Sequence, residues 1–374
     1  MRWSPVPCRP SKLNCGTFPA HVKVLLLGTG IYSIPPTGYG AVERIIGEFS
    51  QALTRAGQQA SVLNEVRHGR SRDEYWFALH LPTLLRRVEY DVVHASTPVV
   101  ANRLAGLGVP FVYTSHSRHW FWRTSWRHRW GYWLERRAVR RSSASVALTS
   151  DVAAAMHRTV PASGRVLLRV IPFGVNADEF RPAWDLRTGR RALGVGLVRP
   201  LKQWEIAAAA LKGTGISLTI AGPTPDPEYA ARVREAGDEV QLLGEVEEPR
   251  LKRLYSESDF LVHPSKVEVL PRAVLEAMAS GLPVLGSSVV GSFLLDGRCG
   301  RAAPPSAAGA ELVRFFRDAA QDLVHDADLR RRMGEAGQVE ARTTYSWERI
   351  VAAHLDLYRE VGASGANRPG SRPA

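Results

Sequence analysis

Apolar runs of strand length alternate with stretches of helical periodicity through most of this 374-residue chain. Residues 21–28 (HVKVLLLG) read as a buried strand, and a loop rich in turn formers then leads to a helix over 41–56 that stops at Gly57. Strands are predicted over 59–63, 91–95, 109–114 and 144–149, the last running into a helix at Asp151. A polar stretch, 183–190, interrupts the alternation and marks a domain boundary. Strands then follow over 191–196, 216–221, 240–243, 259–263 and 283–287. The helices between them cover 203–211, 228–236, a stretch ending near 256, and 272–279. Three helices, 307–326, 327–341 and 346–361, close the pattern. It predicts an α/β protein whose domains, 21–182 and 183–345, are doubly wound around parallel sheets. Residues 1–20 and 362–374 are read as a disordered extension and tail.

The stretch 259–291, DFLVHPSKVEVLPRAVLEAMASGLPVLGSSVVG, carries the first candidate chemistry. Pro264 ends its first strand, and Pro271 opens the helix where a missing N–H costs nothing. Gly281 sits where the helix must turn, and Pro283 bars continuation. A helix start beyond a parallel strand offers unpaired N–H groups and a partial positive charge to a phosphate. Glu268 in the loop and Glu276 on the helix flank that point, with seven residues between them. Two carboxylates so placed could hold hydroxyls of a sugar and of a ribose. On spacing alone they could equally be a solvated loop residue and a surface helix residue.

HPSKVEVLPRAVLEAMASGLPVL resembles the donor-site motif of the retaining glycosyltransferases of family 4 (group 1), two-domain enzymes of the GT-B fold. Other segments resemble the same family. IPPTGYGAVERIIGEFSQAL is similar to its opening motif, with Gly38 and Gly40 set to approach the donor phosphates and Ala41 replacing a glycine. Thr114, Ser115 and His116 match the place where a family histidine reaches the donor sugar. RVIPFGVNADEFRP resembles the segment that closes the first domain, with Phe173 in place of an asparagine. GLVRPLKQW resembles the grip on the donor diphosphate: Lys202 matches, Leu197 stands where the family has arginine, and Arg199 could take over. Val269 replaces the glycine that usually follows the first glutamate. The helix over 346–361 is similar to the terminal helix that crosses back to the first domain.

The resemblance implies two Rossmann-like domains facing each other across a cleft, an N-terminal acceptor domain and a C-terminal donor domain. The reaction would move a sugar from a nucleoside-diphosphate sugar to an acceptor hydroxyl with retention of configuration. His116, Glu268, Arg199 and Lys202 would be catalytic, and Gly38, Gly40, Glu276, Leu270 and Pro271 would bind the donor. No cofactor is expected beyond the donor itself. No metal is expected either, since the sequence offers cations for the diphosphate. The implied acceptor is a sugar or a lipid-linked or cell-surface glycan. The rivals are a non-catalytic membrane or nucleic-acid binding protein on the same scaffold, and a nucleotide-sugar epimerase.

Composition adds bounds. A hydrophobic fraction of 45% with 23% charged residues is ordinary for a soluble globular protein. No run of 18 apolar residues occurs, and the first 21 residues lack the apolar centre of a signal peptide. Cys8, Cys15 and Cys299 make neither a disulfide framework nor a zinc set, so a reducing cytoplasm is the simplest compartment. A net charge of +13 favours anionic partners: nucleotides, nucleic acid or an anionic membrane.

Much of that charge sits in 118–141, RHWFWRTSWRHRWGYWLERRAVRR, with eight arginines against Glu135 and five of the ten tryptophans. Trp122, Trp126, Trp130 and Trp133 recur at i, i+4, i+8 and i+11, one stripe of a helix. The stripe could face the core with a solvated basic back. It could instead lie in an anionic membrane interface at the inner face of the membrane, or stack single-stranded nucleic acid. The acceptors implied by the resemblance favour the membrane, and no nucleic-acid partner is expected.

Overall fold

A computed structural model describes residues 21–38, 40–121, 125–158, 166–294 and 297–365. The chain begins β1 (Lys23–Leu27), α1 (Ala41–Arg55), β2 (Gln59–Leu63), α2 (Asp73–Leu85), β3 (Val92–Ala95) and α3 (Pro98–Gly106). It continues β4 (Val112–Ser115), α4 (Trp126–Arg141), β5 (Ala144–Ala147), α5 (Ser150–His157) and β6 (Leu167–Val170). These six strands form one parallel sheet in the order β2-β1-β3-β4-β5-β6.

A second run gives β7 (Arg191–Val195), α6 (Trp204–Leu211), β8 (Ser217–Ala221), α7 (Pro227–Ala236), β9 (Val240–Gly244) and α8 (Glu248–Glu257). Then come β10 (Phe260–His263), α9 (Arg272–Ala279), β11 (Val284–Gly286), β12 (Gly300–Ala302), α10 (Gly309–His325) and α11 (Ala327–Thr343). Its sheet is also parallel, in the order β12-β11-β10-β7-β8-β9. The two doubly wound sheets meet the α/β expectation. Strands such as β3, β5 and β10 are buried at every residue, as a sheet covered on both faces requires.

The last helix, α12 (Trp347–Gly365), crosses back onto the first domain. Trp347 stacks on Phe49 of α1 at 5.9 Å, and the Tyr358 hydroxyl lies 2.6 Å from His94 Nδ1 at the end of β3. Arg169 of β6 pairs with Glu360 at 2.8 Å. One apolar cluster therefore runs from β1 and α1 through α12 to α9 of the second domain.

Four elements lie outside the predicted pattern. α2 carries Pro82 inside it and α3 opens on Pro98, so neither advertises itself by spacing. β6 is a half-exposed edge strand and β12 has three residues. The reading of the tryptophan stripe as core-facing is corrected. Its inner face holds Glu135, Ala138 and Val139, while Trp126, Trp130 and Trp133 are 74%, 51% and 47% exposed. The helix starts at Trp126, and Trp122 lies outside the described residues. Among the described residues no helix is long and apolar enough to cross a membrane.

Candidate active site

In each sheet the strand order reverses once, between β1 and β3 and between β7 and β10, and a crevice opens at the carboxyl ends there. The loop after β7 carries Leu197, Arg199 and Lys202; the loop after β10 carries Glu268, Leu270 and Pro271. A glycine lets neighbouring loops close in. Gly222, after β8, sits at φ +151°, and a Cβ there would meet the Gly196 carbonyl oxygen at 2.2 Å.

Lys202 Nζ donates to Glu268 Oε1, and His263 Nε2 at the end of β10 lies 3.1 Å from the same oxygen. Burial opposes the charge on Glu268, but Lys202 and His263 outweigh it and hold the carboxyl far below the usual carboxylate range. Burial pulls His263 down in turn, against the pull of Glu268. An anion and a cation are thus set side by side at the reversal point.

Glu276 lies one turn into α9 and is 5% exposed. Tyr255 of α8 donates its hydroxyl to Oε2 at 2.8 Å, and Arg272 donates Nε to Oε1 at 2.6 Å. The arginine's remaining fork reaches Glu48 of α1 at 2.6 and 3.0 Å. This crosses from the second domain to the first.

A cleft of about 840 Å³ separates the two sheets, and Lys202, Glu268, Leu270, Pro271 and Glu276 line its second-domain wall. Gly38, Gly40 and His116 line the facing wall. Burial lowers His116 to about 4, so its imidazole is neutral at pH 7. The structure therefore gathers eight of the nine sequence-predicted residues around one space. Arg199 is the exception: it is exposed at the start of a short 3₁₀ turn and is not among the residues lining the cleft, whereas Leu197 is. Arg199, offered by the sequence in place of the missing arginine, is thus not brought to the cleft wall in this structure. Val269 lines the cleft and packs its side chain against the cores of both domains.

Sequence reasoning missed His263, Arg272, Tyr255 and Glu48. His263 could have been found, since it ends a strand just as His116 follows one. Glu48 could not, because its partner lies 224 residues away. Among the described residues no group of three or more His, Cys, Asp or Glu side chains could hold a metal ion.

Residues 42–179 match the family model described as Glycosyltransferase Family 4, and 197–322 match Glycosyl transferases group 1. The alpha-maltose-1-phosphate synthase of Mycolicibacterium smegmatis is 29% identical over 313 residues, which is 73% of this chain and 79% of that one. The sucrose-phosphate synthase of Thermosynechococcus elongatus superposes with a TM-score of 0.77 at 19% identity, covering 92% of this chain and 100% of that one. Anabaena HepE, solved in complex with UDP-glucose, gives a TM-score of 0.67 at 17% identity over 90% of this chain and 100% of its own. With both halves of the chain matched and the two sheets facing across one cleft, the chain belongs to the family 4, group 1 glycosyltransferases of the GT-B fold and is an enzyme of that class.

Proposed function

We propose that this enzyme takes a sugar from a nucleoside-diphosphate sugar and joins it to an acceptor hydroxyl with retention of configuration and without a metal. One observation carries the reading: Lys202 and Glu268 meet at the reversal point of the donor-domain sheet, beside the N-terminus of α9. Glu276 takes the ribose hydroxyls, and Glu268 takes the donor sugar and its phosphate. His116 reaches the sugar from the acceptor domain, while Gly38 and Gly40 let the facing loop come close. In the reaction the bond from the anomeric carbon to the β-phosphate oxygen breaks, and its electron pair leaves on the phosphate. The acceptor oxygen bonds to that carbon on the same face, and its proton passes to the departing phosphate. Lys202 and the first N–H groups of α9, near Leu270 and Pro271, stabilise the charge that develops there. The Anabaena protein solved with UDP-glucose supports a nucleotide-sugar donor.

The acceptor we read as lipid-linked or part of a cell-surface glycan, with the enzyme in the cytoplasm and peripheral at the inner membrane face. The support is α4, whose outward face sets Trp126, Trp130 and Trp133 among Arg129, Arg137 and Arg141.

Calorimetric titration with UDP, GDP and ADP tests the donor site. One nucleotide should bind the wild type, and Glu276→Ala should weaken it by about tenfold or more, the loss of one charged hydrogen bond. Glu268→Ala should keep affinity and lose turnover. Wild-type affinity and rate in both variants would overturn the assignment.

A further inference from the structure

Arg272 stands where a helix alone would not put it. It is the first residue of α9, at the positive end of the helix dipole, where a cation is disfavoured. Two carboxylates offset that. Its Nε holds Glu276 Oε1 at 2.6 Å, and its Nη1 and Nη2 hold Glu48 Oε2 and Oε1 at 3.0 and 2.6 Å. Burial disfavours its charge, but Glu276 and Glu48 outweigh burial and raise its pKa. The three side chains are 17%, 6% and 23% exposed, so removing either carboxylate leaves a poorly solvated guanidinium short of a partner.

We infer that Arg272 is a positioning residue which, oriented by Glu48 of the first domain, sets the carboxylate of Glu276, so that the nucleotide site of the second domain depends on a side chain of the first. The inference rests on the role of Glu276 proposed above. Tyr255 fixes one oxygen of Glu276 from within the second domain. The other oxygen is fixed by a guanidinium whose planar fork is oriented by α1 of the first domain. Glu48 is thereby coupled to nucleotide binding through Arg272, from the opposite domain. A second bridge from the same helix, Arg44 to Glu248 at 2.6 Å, also spans the domains but does not touch Glu276. Arg44 also donates to the carbonyl of Gly38, so the control removes the bridge from its other end, at Glu248.

The experiment measures nucleoside-diphosphate affinity by calorimetry and donor KM and kcat by rate, at one ionic strength, with thermal melts to verify folding. Glu48→Gln and Arg272→Lys should each raise Kd and donor KM by about tenfold, while kcat changes by less than about threefold. The double variant should be no weaker than the weaker single, because both remove one linkage. Glu248→Gln should leave Kd within about twofold. Equal weakening by Glu248→Gln would reduce the effect to general domain loosening and overturn the inference. Wild-type affinity in Glu48→Gln, with binding lost in Glu276→Ala, would overturn the coupling alone. Wild-type affinity in Glu276→Ala would overturn the site assignment and the coupling together.

Discussion

Glu268 and Glu135 are both carboxyls withdrawn from water, and burial pushes both toward the neutral form. At Glu268 the neighbours are Lys202 and His263, and the charge survives. At Glu135 the partners are hydroxyls, Tyr113 at 2.7 Å and Ser115 at 2.9 Å, and burial raises the carboxyl from 4.5 to about 7. Burial raises its neighbour Glu74 to about 7 as well. A carboxyl with a raised folded pKa binds more protons folded than unfolded. Its stabilising share is whole below the unfolded value and is lost as pH climbs through the folded one. Glu135→Gln keeps the shape and cannot ionise. Relative to wild type, the variant should therefore gain on the order of 2–3 kcal/mol between pH 4.5 and 8. Denaturant titrations at pH 5 and pH 8 measure the difference; a gap that does not move with pH contradicts it.

At the scale of elements, α9 and α4 show what a sequence can and cannot say. The strand-loop-helix-strand around α9 was legible because Pro264, Pro271, Gly281 and Pro283 bound it, each through its own backbone geometry. Lys202 and the two glutamates were legible through spacing and resemblance; that Leu197 rather than Arg199 lines the cleft was not, since a loop pattern does not give direction. In α4 the period put the tryptophans on one stripe but could not say which way it faces. The packing decided it: Glu135 bonds inward to Tyr113 and Ser115, and that turns the tryptophans out. Trp130 and Trp133 stack at 4.9 Å, and the guanidinium of Arg137 lies 5.8 Å from the Trp133 ring, leaving an aromatic and cationic surface. The protein should sediment with anionic vesicles at low salt and ignore neutral ones. Replacing Arg129, Arg137 and Arg141 with alanine should remove about 1 kcal/mol per residue. Raising salt should weaken the wild type toward the variant, because the Debye length shortens to about 8 Å at physiological ionic strength. Equal binding by the triple variant, or no binding by wild type at low salt, ends the membrane reading.

Across the whole molecule, the two sheets were predictable because each alternates strand and helix on its own. Their contact was not. α1 meets the second domain through Glu48 and Arg44, and α12 returns to the first through Trp347 and Tyr358. These pairs are far apart in sequence and follow no local period. What they create is one cleft lined by both domains, and the proposed donor and acceptor roles of its walls are tested by what that cleft turns over. The direct measurement is nucleoside-diphosphate release from a panel of UDP-, GDP- and ADP-sugars in excess EDTA, by wild type and by Lys202→Ala. One donor should be consumed by the wild type under chelation, and Lys202→Ala should lower its rate by about tenfold or more, since a cation facing the leaving phosphate is lost. Consumption of no sugar nucleotide, or a rate abolished by EDTA and restored by magnesium or manganese, would contradict the account.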